Sequence, residues 1–188
     1  MEQSDEQIIV DYLNGDTEAF EALVFRYLKP LYNFAYRLTG DTHEAEDIMQ
    51  DTFLKVWKNL KKYRRGENFK TWIFAIARNT TTDYLRKKKH FVFSDFEYEE
   101  GNSLTDNLAD PAPSPDELFV RREGKEALEK ALAKLAPLYR EVILLHYRED
   151  FTFDEIGKIT GKPLHTVKSQ HRRGIEKLRE YFIRHVPK

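Results

Sequence analysis

Apolar residues recur at helical spacing along almost the whole chain, and no stretch alternates between apolar and polar residues as a half-buried strand does. Two such stripes are Phe20, Leu23, Val24 with Tyr27, and Leu128, Ala131, Leu132 with Leu135. The pattern predicts an all-α protein. No apolar run approaches the roughly 18 residues of a membrane-spanning helix, so membrane insertion is not expected.

One segment, residues 94–118, interrupts the helical pattern. It carries eight Asp or Glu and no Lys or Arg, and it contains Pro111, Pro113 and Pro115. Prolines lack amide donors, like charges repel, and few apolar residues offset the entropy of ordering. We therefore predict two small helical domains, 1–93 and 119–188, joined by a flexible acidic linker.

Charge alternates in blocks although the net charge of the 188 residues is only −1. Residues 1–60 carry a net −7, residues 61–90 a net +8, residues 91–120 a net −8 and residues 121–188 a net +6. Two basic blocks separated by an acidic one indicate two contacts with a polyanion. The plainer interpretation is that the charges keep helical surfaces hydrated.

The residue inventory argues against several kinds of chemistry. The chain has no cysteine, which excludes disulfides, thiolate zinc sites and thiol nucleophiles, and which suits a cytoplasmic protein. The acidic N-terminus does not resemble a secretory signal. His165 and His171 lie about 120° apart around a helix and make poor metal co-ligands. We expect no metal, no cofactor and no catalytic residues.

Local signals place the helix ends of the first domain. Ser4 and Asp16 are suited to cap the first two helices. Pro30 predicts the start of a further helix that Gly40 ends. Asp41 is suited to cap the next, with Glu44 completing a capping box.

An acidic stripe follows on that helix. Glu46, Asp47, Gln50 and Asp51 share one helical face with Leu54. Because this stripe would repel phosphate, we interpret it as a protein-docking surface. A carboxylate-pair or metal site is the sharper alternative, but no histidine or phosphate-binding loop accompanies the stripe.

A basic and aromatic region extends from residue 61 to residue 89. Cations beside aromatic rings in a flexible loop suit single-stranded nucleic acid, because unpaired bases stack on such rings. The candidates are Tyr63, Arg64, Arg65, Asn68, Phe69 and Trp72, with Arg78, Asn79 and Arg86 holding the backbone. The alternative is that Phe69 and Trp72 belong to the core.

The second domain carries a helix-turn-helix pattern. Thr152 and Glu155 form a capping box before a short helix, Gly161 suits its left-handed end, and Pro163 opens a longer basic helix. Such a helix enters the major groove. Its candidate reading residues are Leu164, His165, Thr166, Lys168, Ser169, Arg172 and Arg173, and Gln170 suits adenine. The alternative is an ordinary solvated helical hairpin.

Three strings resemble the bacterial sigma-factor family. AEDIMQDTFLKVWKNL at 45–60 and FKTWIFAIARNTTTDYLRKKK at 69–89 are similar to its second region, and REVILLHYREDFTFDEIGKITGKPLHTVKS at 140–169 is similar to its fourth. The first and third regions are missing, as in the extracytoplasmic-function (ECF) group. The resemblance covers almost everything but the linker.

The resemblance implies partners and residue roles. Such proteins are not enzymes; they bind the clamp helices and flap of core RNA polymerase, read promoter DNA and open it. Asp47, Gln50, Phe53 and Trp57 match the part that docks on the clamp helices, although Phe53 and Trp57 also suit the core. Residues 63–86, which include Asp83, match the part that melts the minus-ten element and captures a base. Residues 163–173 match the minus-thirty-five reader.

The resemblance implies further partners and also has departures. The acidic linker matches the strap that threads the RNA exit channel, and the family commonly has an anti-sigma factor that masks both domains. His165 replaces a small residue, Gln170 and His171 replace an arginine and an apolar residue, and Lys162 replaces an apolar residue. These changes concern the base contacts rather than the motif.

Two rival classes remain beside this interpretation. A stand-alone helix-turn-helix regulator would bind duplex operators without polymerase, usually as a dimer, but the sequence has no heptad seam for dimerisation. An enzyme of phosphoryl or metal chemistry would need a glycine-rich phosphate loop or a ligand set, and neither is present. In the sigma-factor interpretation, the free lobes are loosely tethered and bind promoter DNA poorly.

Overall fold

The computed structural model describes residues 3–63, 66–91 and 115–185, with the backbone alone at 89–91, 115–123 and 185. These residues form eight α-helices and one 3₁₀ turn, with no β-strand among them, which confirms the all-α prediction. The elements are α1 (Asp5–Leu13), α2 (Glu18–Thr39), α3 (Thr42–Asn59), the 3₁₀ turn (Leu60–Lys62), α4 (Phe69–Phe91), α5 (Pro115–Lys134), α6 (Pro137–Tyr147), α7 (Phe153–Thr160) and α8 (Leu164–His185).

Polar side chains begin the N-terminal helices as predicted, with one difference. The Ser4 hydroxyl and the Asp16 carboxylate each accept backbone amides of the first turn that follows. Asp41 accepts the amide of Glu44 at 3.0 Å. The reciprocal half of that capping box is absent, because the Glu44 carboxylate pairs instead with the ammonium of Lys88 at 2.6 Å.

Pro30 does not begin a new helix, and that prediction is wrong. Helix α2 runs unbroken through 22 residues with Pro30 inside it. Proline in a helix interior costs about 3 kcal/mol. Tyr27 and Leu31, on either side of the proline, are both buried with Phe34 on one stripe of the helix. Burial of these large side chains along a continuous helix outweighs the local cost.

Four helices, α1 to α4, build the N-terminal lobe around a main hydrophobic core and a smaller cluster that contains Ile48. Helix α2 packs against α1, α3 and α4, and α3 packs against α4. The fully buried side chains include Ile8, Leu23, Phe34, Ile48 and Ile73. Helix α3 therefore has a buried side that contains Ile48 and an exposed side that carries the acidic stripe.

Helices α6, α7 and α8 form the predicted helix-turn-helix lobe. Thr152 and Glu155 make both hydrogen bonds of the capping box at the start of α7. Gly161 ends α7 with φ of +67°, a backbone conformation that residues other than glycine rarely adopt. Gly157 lets the turn close, since a Cβ there would lie 2.9 Å from the carbonyl oxygen of Lys162.

The predicted linker lies mostly outside the described residues, which leave out 92–114. Its last residues are described and are helical, because α5 begins at Pro115 rather than after residue 118. Proline suits the first turn of a helix, where its missing amide has no partner to lose. The composition that suggested a linker up to residue 118 therefore includes the first turn of α5.

The two lobes are packed together, which corrects the expectation of loosely tethered lobes. Helix α4 of the first lobe packs along α7 of the second, and α2 also touches α6. The rings of Phe74 and Phe151 meet edge to face with centroids 5.1 Å apart, and both are buried. One hydrophobic core therefore continues from lobe to lobe, through Phe74 of α4 and Phe151 of the turn between α6 and α7.

Candidate functional site

The acidic stripe of α3 is a solvent-exposed surface. Ala45, Ile48, Thr52 and Val56 point into the lobe, so the residues between them point outward. Leu54 and Trp57 are each 52% exposed, a large apolar area for surface side chains. We call this surface the α3 face; its exposed members are Glu46, Asp47, Gln50, Asp51, Leu54 and Trp57.

Phe53 does not belong to the α3 face. It is half-buried and packs against the main hydrophobic core of the lobe. Of the two uses that its position allowed, the structure therefore favours the core for Phe53. Trp57 lies on the surface, where an aromatic ring beside carboxylates is available to another protein.

The electrostatics of the α3 face are negative. The hydroxyl of Tyr84 donates to the carboxylate of Asp47 across 3.4 Å. Desolvation, followed by the negative charges of Asp47 and Glu44, raises the pKa of Tyr84 above its ordinary value. The carboxylates of Asp47 and Glu44 thus contribute to the negative potential around Tyr84.

The aromatic residues proposed for base stacking form a cluster. The rings of Tyr63, Phe69 and Trp72 lie with centroids 5.4 to 5.7 Å apart. Phe69 is only 2% exposed and also meets Tyr27, and Tyr63 is 8% exposed. Their faces are therefore not available to a base in this arrangement, and Trp72 is half-buried beside them.

The polar candidates of the same region divide into those with partners on α4 itself and those bonded to the C-terminal lobe. Asn79, Asp83 and Arg86 are exposed on α4, and Arg86 pairs with Asp83 at 3.1 Å. Asn68 and Arg78 instead bond to groups of the C-terminal lobe. Arg64 and Arg65 lie outside the described residues.

Helix α8 presents the predicted reading surface to solvent. Leu164, His165, Lys168, Arg172 and Arg173 are exposed. The half-buried members are Thr166, Ser169 and Gln170. The exposed part of this surface therefore includes three cations, Lys168, Arg172 and Arg173, and the first two residues of the helix.

Gln170, proposed as an adenine reader, has an intramolecular partner. Its side-chain oxygen accepts from the ammonium of Lys162, 3.3 Å away, across the turn of the motif. Bidentate recognition of adenine uses both the oxygen and the nitrogen of the amide. The contact to Lys162 would have to open before Gln170 could read adenine in that way.

His171 lies in a cluster of rings between α6, α7 and α8. Its Nε2 is 3.1 Å from the hydroxyl of Tyr147, and its ring meets those of His146 and Phe153. Desolvation, together with the neighbouring imidazole of His146, lowers the pKa of His171 below its ordinary value. The fold therefore favours the neutral form of this histidine over the charged form.

The lowered pKa of His171 predicts a loss of stability in acid. The unfolded chain takes up the proton at a higher pH than the folded chain, so stability falls as the pH drops below the ordinary histidine pKa of about 6.5. We expect H171Q to reduce the fall in melting temperature between about pH 8 and about pH 5.5. Thermal unfolding measures it, and H43Q, at an exposed histidine, is the matched control. An unchanged acid dependence in H171Q would contradict the prediction.

The contacts between the lobes were not predicted from the sequence. Arg78 of α4 pairs with Glu141 of α6 at 2.7 Å, and Asn68 donates to Glu155 of α7 at 3.2 Å. One signal was available in the sequence of α4. Trp72, Ile73, Ile76 and Ala77 form an apolar stripe, and Phe74 lies off that stripe, so the helix has apolar residues on two sides and can be packed on both.

Neither a metal site nor a membrane-spanning helix is found in the part of the chain that the structure describes. No three His, Asp or Glu side chains there are grouped to hold a metal ion. None of the described helices combines the length and the apolar character that crossing a bilayer requires.

Comparison with known proteins gives concordant matches. A family model described as Sigma-70 region 2 matches residues 23–91, and one described as Sigma-70, region 4 matches residues 125–178. The ECF RNA polymerase sigma factor SigW of Bacillus subtilis is 34% identical over 182 residues, which are 96% of this chain and 97% of that protein. RNA polymerase sigma factor CarQ of Myxococcus xanthus is 32% identical over 169 residues, covering 90% and 92%.

A solved structure shows the same architecture. The sigma factor RpoE in complex with the anti-sigma factor NepR, from Bartonella quintana, superposes with a TM-score of 0.69 at 28% identity. The match covers 87% of this chain and 96% of that one.

A helix-turn-helix lobe and a second helical lobe with an acidic face and a basic helix define a two-lobed DNA-binding transcription factor. The sequence and structural matches make the class specific. The chain belongs to the ECF family of RNA polymerase sigma factors, which are transcription initiation factors.

Proposed function

We propose that this chain directs core RNA polymerase to promoters by docking through the α3 face and reading the minus-thirty-five element with α8. The observation that carries the proposal is the presence of two exposed surfaces of opposite character on separate lobes. The α3 face is acidic with two exposed apolar side chains, and α8 is basic. The first suits a cationic protein surface such as the clamp helices, and the second suits duplex DNA.

Polymerase binding supplies the affinity that the isolated lobes lack. A lobe with few phosphate contacts binds DNA weakly at physiological salt. Once the α3 face is docked, the second lobe meets its DNA element as an intramolecular partner, with an effective concentration fixed by the distance between the docking points. Promoter recognition then needs no tight DNA binding by the free protein.

Promoter opening is assigned to the loop before α4 and to the polar surface of α4. Asn79, Asp83 and Arg86 are exposed there. Arg64 and Arg65, which precede α4 in the sequence, add charge for the displaced strand. Contacts with unpaired bases and their phosphates offset part of the cost of unstacking. The rings of Tyr63 and Phe69 are buried, so they support this region from inside the lobe instead of stacking on DNA.

Several properties of the family are proposed for this chain as well. It acts without catalysis of its own and without a cofactor, in the cytoplasm where polymerase and chromosome meet. The acidic linker follows the RNA exit channel as a strap, and the flap holds the C-terminal lobe. RpoE is bound to an anti-sigma factor in its solved complex, and we propose that a comparable anti-sigma factor restrains this chain.

Run-off transcription tests the proposal. Purified protein is added to core polymerase with a genomic library as template, and discrete start sites that require the protein are expected. Transcripts from defined starts would support it. Tight, sequence-selective binding to duplex DNA without polymerase, combined with no transcription, would instead identify a stand-alone regulator and overturn the proposal.

A further inference from the structure

The contact between the lobes uses two residues that the sequence predicts for binding single-stranded DNA. Arg78 and Asn68 belong to the region proposed to act at the minus-ten element. In the structure the guanidinium of Arg78 meets the carboxylate of Glu141 at 2.7 Å, and the amide of Asn68 donates to the carboxylate of Glu155 at 3.2 Å. Both acceptors are carboxylate oxygens of the C-terminal lobe, and a carboxylate resembles a phosphate in its negative charge and its acceptor oxygens.

Glu141 is an unusual residue for its place in α6. Its side chain is 8% exposed, and the residues after it, from Val142 to Leu145, are all buried. A buried carboxylate is costly unless cations compensate it. Two cations do so: Arg78 from the other lobe, and Lys162 of the helix-turn-helix turn at 3.6 Å. The burial of Glu141 therefore depends on the packed arrangement of the two lobes, which we call the closed arrangement.

Apolar packing holds the same interface. Phe74 of α4 is fully buried against Phe151, and the ammonium of Lys70 lies over the Phe151 ring at 4.8 Å while donating to the carbonyl of Glu149. Separating the lobes would expose both phenyl rings and leave Glu141 with one cation fewer. The closed arrangement is thus held by packing and charge together.

The contact between the lobes covers residues of the minus-ten region but not the exposed cations of α8. Arg78 is pulled into the interface, where its side chain is 20% exposed, while Lys168 and Arg172 of α8 face solvent. The closed arrangement therefore leaves the duplex-reading helix free and occupies part of the minus-ten region.

We infer that the free protein inhibits itself through this contact, with Glu141 and Glu155 acting as internal substitutes for DNA phosphate on Arg78 and Asn68. The inference rests on the proposed function for the meaning of the masking, but the contact itself is independent of it. Polymerase would open the lobes by binding the separated arrangement more tightly than the closed one, as a shift between two states requires.

The absence of cysteine makes a direct test possible. Lys70 and Glu149 are replaced by cysteine, and the pair is joined with a short, reductant-cleavable bis-maleimide. The cross-linking yield reports closure without reference to DNA. We expect high yield in the otherwise unchanged protein and a fall on the order of tenfold when E141Q is added, because the amide no longer neutralises Arg78.

Two further variants keep the test decisive. D154N removes an exposed carboxylate from the same lobe, where Asp154 pairs only at the surface with Lys158, and should leave the yield unchanged. R78Q removes the other partner of the Arg78–Glu141 ion pair and should lower the cross-linking yield as E141Q does. R78Q replaces E141Q in the test if circular dichroism shows that E141Q does not fold. An unchanged yield in a folded E141Q or R78Q protein would overturn the inference.

A binding experiment tests whether the contact between the lobes inhibits single-strand binding. Binding of a fluorescent random-sequence single strand should rise several-fold in E141Q and fall in the cross-linked protein, with recovery after the linker is cleaved. Equal single-strand binding by cross-linked and cleaved protein would overturn the self-inhibition. The two proposals can fail separately. If run-off transcription fails while E141Q still lowers the cross-linking yield, the proposed function is contradicted and the contact between the lobes is not.

Discussion

Replacement of Asp47 and Gln50 by lysine is expected to abolish binding to core polymerase while the N-terminal lobe stays folded. Both side chains are exposed on the α3 face. The change adds three positive charges to a surface proposed to meet a cationic partner, and like charges across an interface cost several kcal/mol. We expect the affinity for core polymerase to fall at least about 100-fold, equivalent to about 2.7 kcal/mol.

The control for this experiment matches the charge at another exposed place. E18K with A22K adds the same three charges near the start of α2, on exposed positions of the same lobe. Binding to immobilised core polymerase is measured for both variants, and circular dichroism confirms the fold. If the α3-face variant kept its affinity, or if the control lost it equally, docking through the α3 face would be rejected.

The second large effect is expected at Lys168. This exposed cation lies in the first turns of α8. K168E replaces a phosphate attraction with a repulsion, and we expect binding of promoter duplex by the holoenzyme to weaken about 30-fold, or about 2 kcal/mol. The milder K168A should reduce the slope of log affinity against log salt by about 0.9, as one lost phosphate contact does.

The matching control for Lys168 lies outside the motif. K130E reverses an exposed cation on α5 in the same lobe and should change duplex binding little. A salt titration of the holoenzyme on a promoter found by run-off transcription gives both affinity and slope. An unchanged slope in K168A would remove Lys168 from the phosphate contacts.

Self-inhibition by the lobe contact would complement restraint by an anti-sigma factor. An outside inhibitor needs only to stabilise a closed arrangement that the chain already adopts, which requires less binding energy than imposing a new one. The prediction for E141Q therefore also bears on regulation, because a protein that opens more easily would demand a tighter inhibitor.

Local chemistry made several parts of the fold predictable. The caps at Ser4 and Asp41 and the capping box of Thr152 and Glu155 depend on side chains within one turn of the backbone they satisfy. Gly161 likewise ends α7 for a reason contained in its own backbone angle. Such signals are read correctly because the interaction partners are neighbours in sequence.

Predictions that depended on packing were less successful. Pro30 was read as a helix boundary, yet α2 continues through it because distant helices bury the residues on both sides. Phe69 suited either a base or the core, and only the packing of Tyr27 and Tyr63 around it places it inside. In both cases the outcome depended on partners that the sequence does not place.

By itself the sequence determined the helical class, the helix-turn-helix and the acidic character of the α3 stripe, because periodicity, capping and charge act within a few residues. The tertiary structure alone decided that Phe74 meets Phe151 and that Arg78 meets Glu141. These pairs are separated by dozens of residues, and they form because a buried ring and a buried carboxylate each need a partner that only the folded chain brings near.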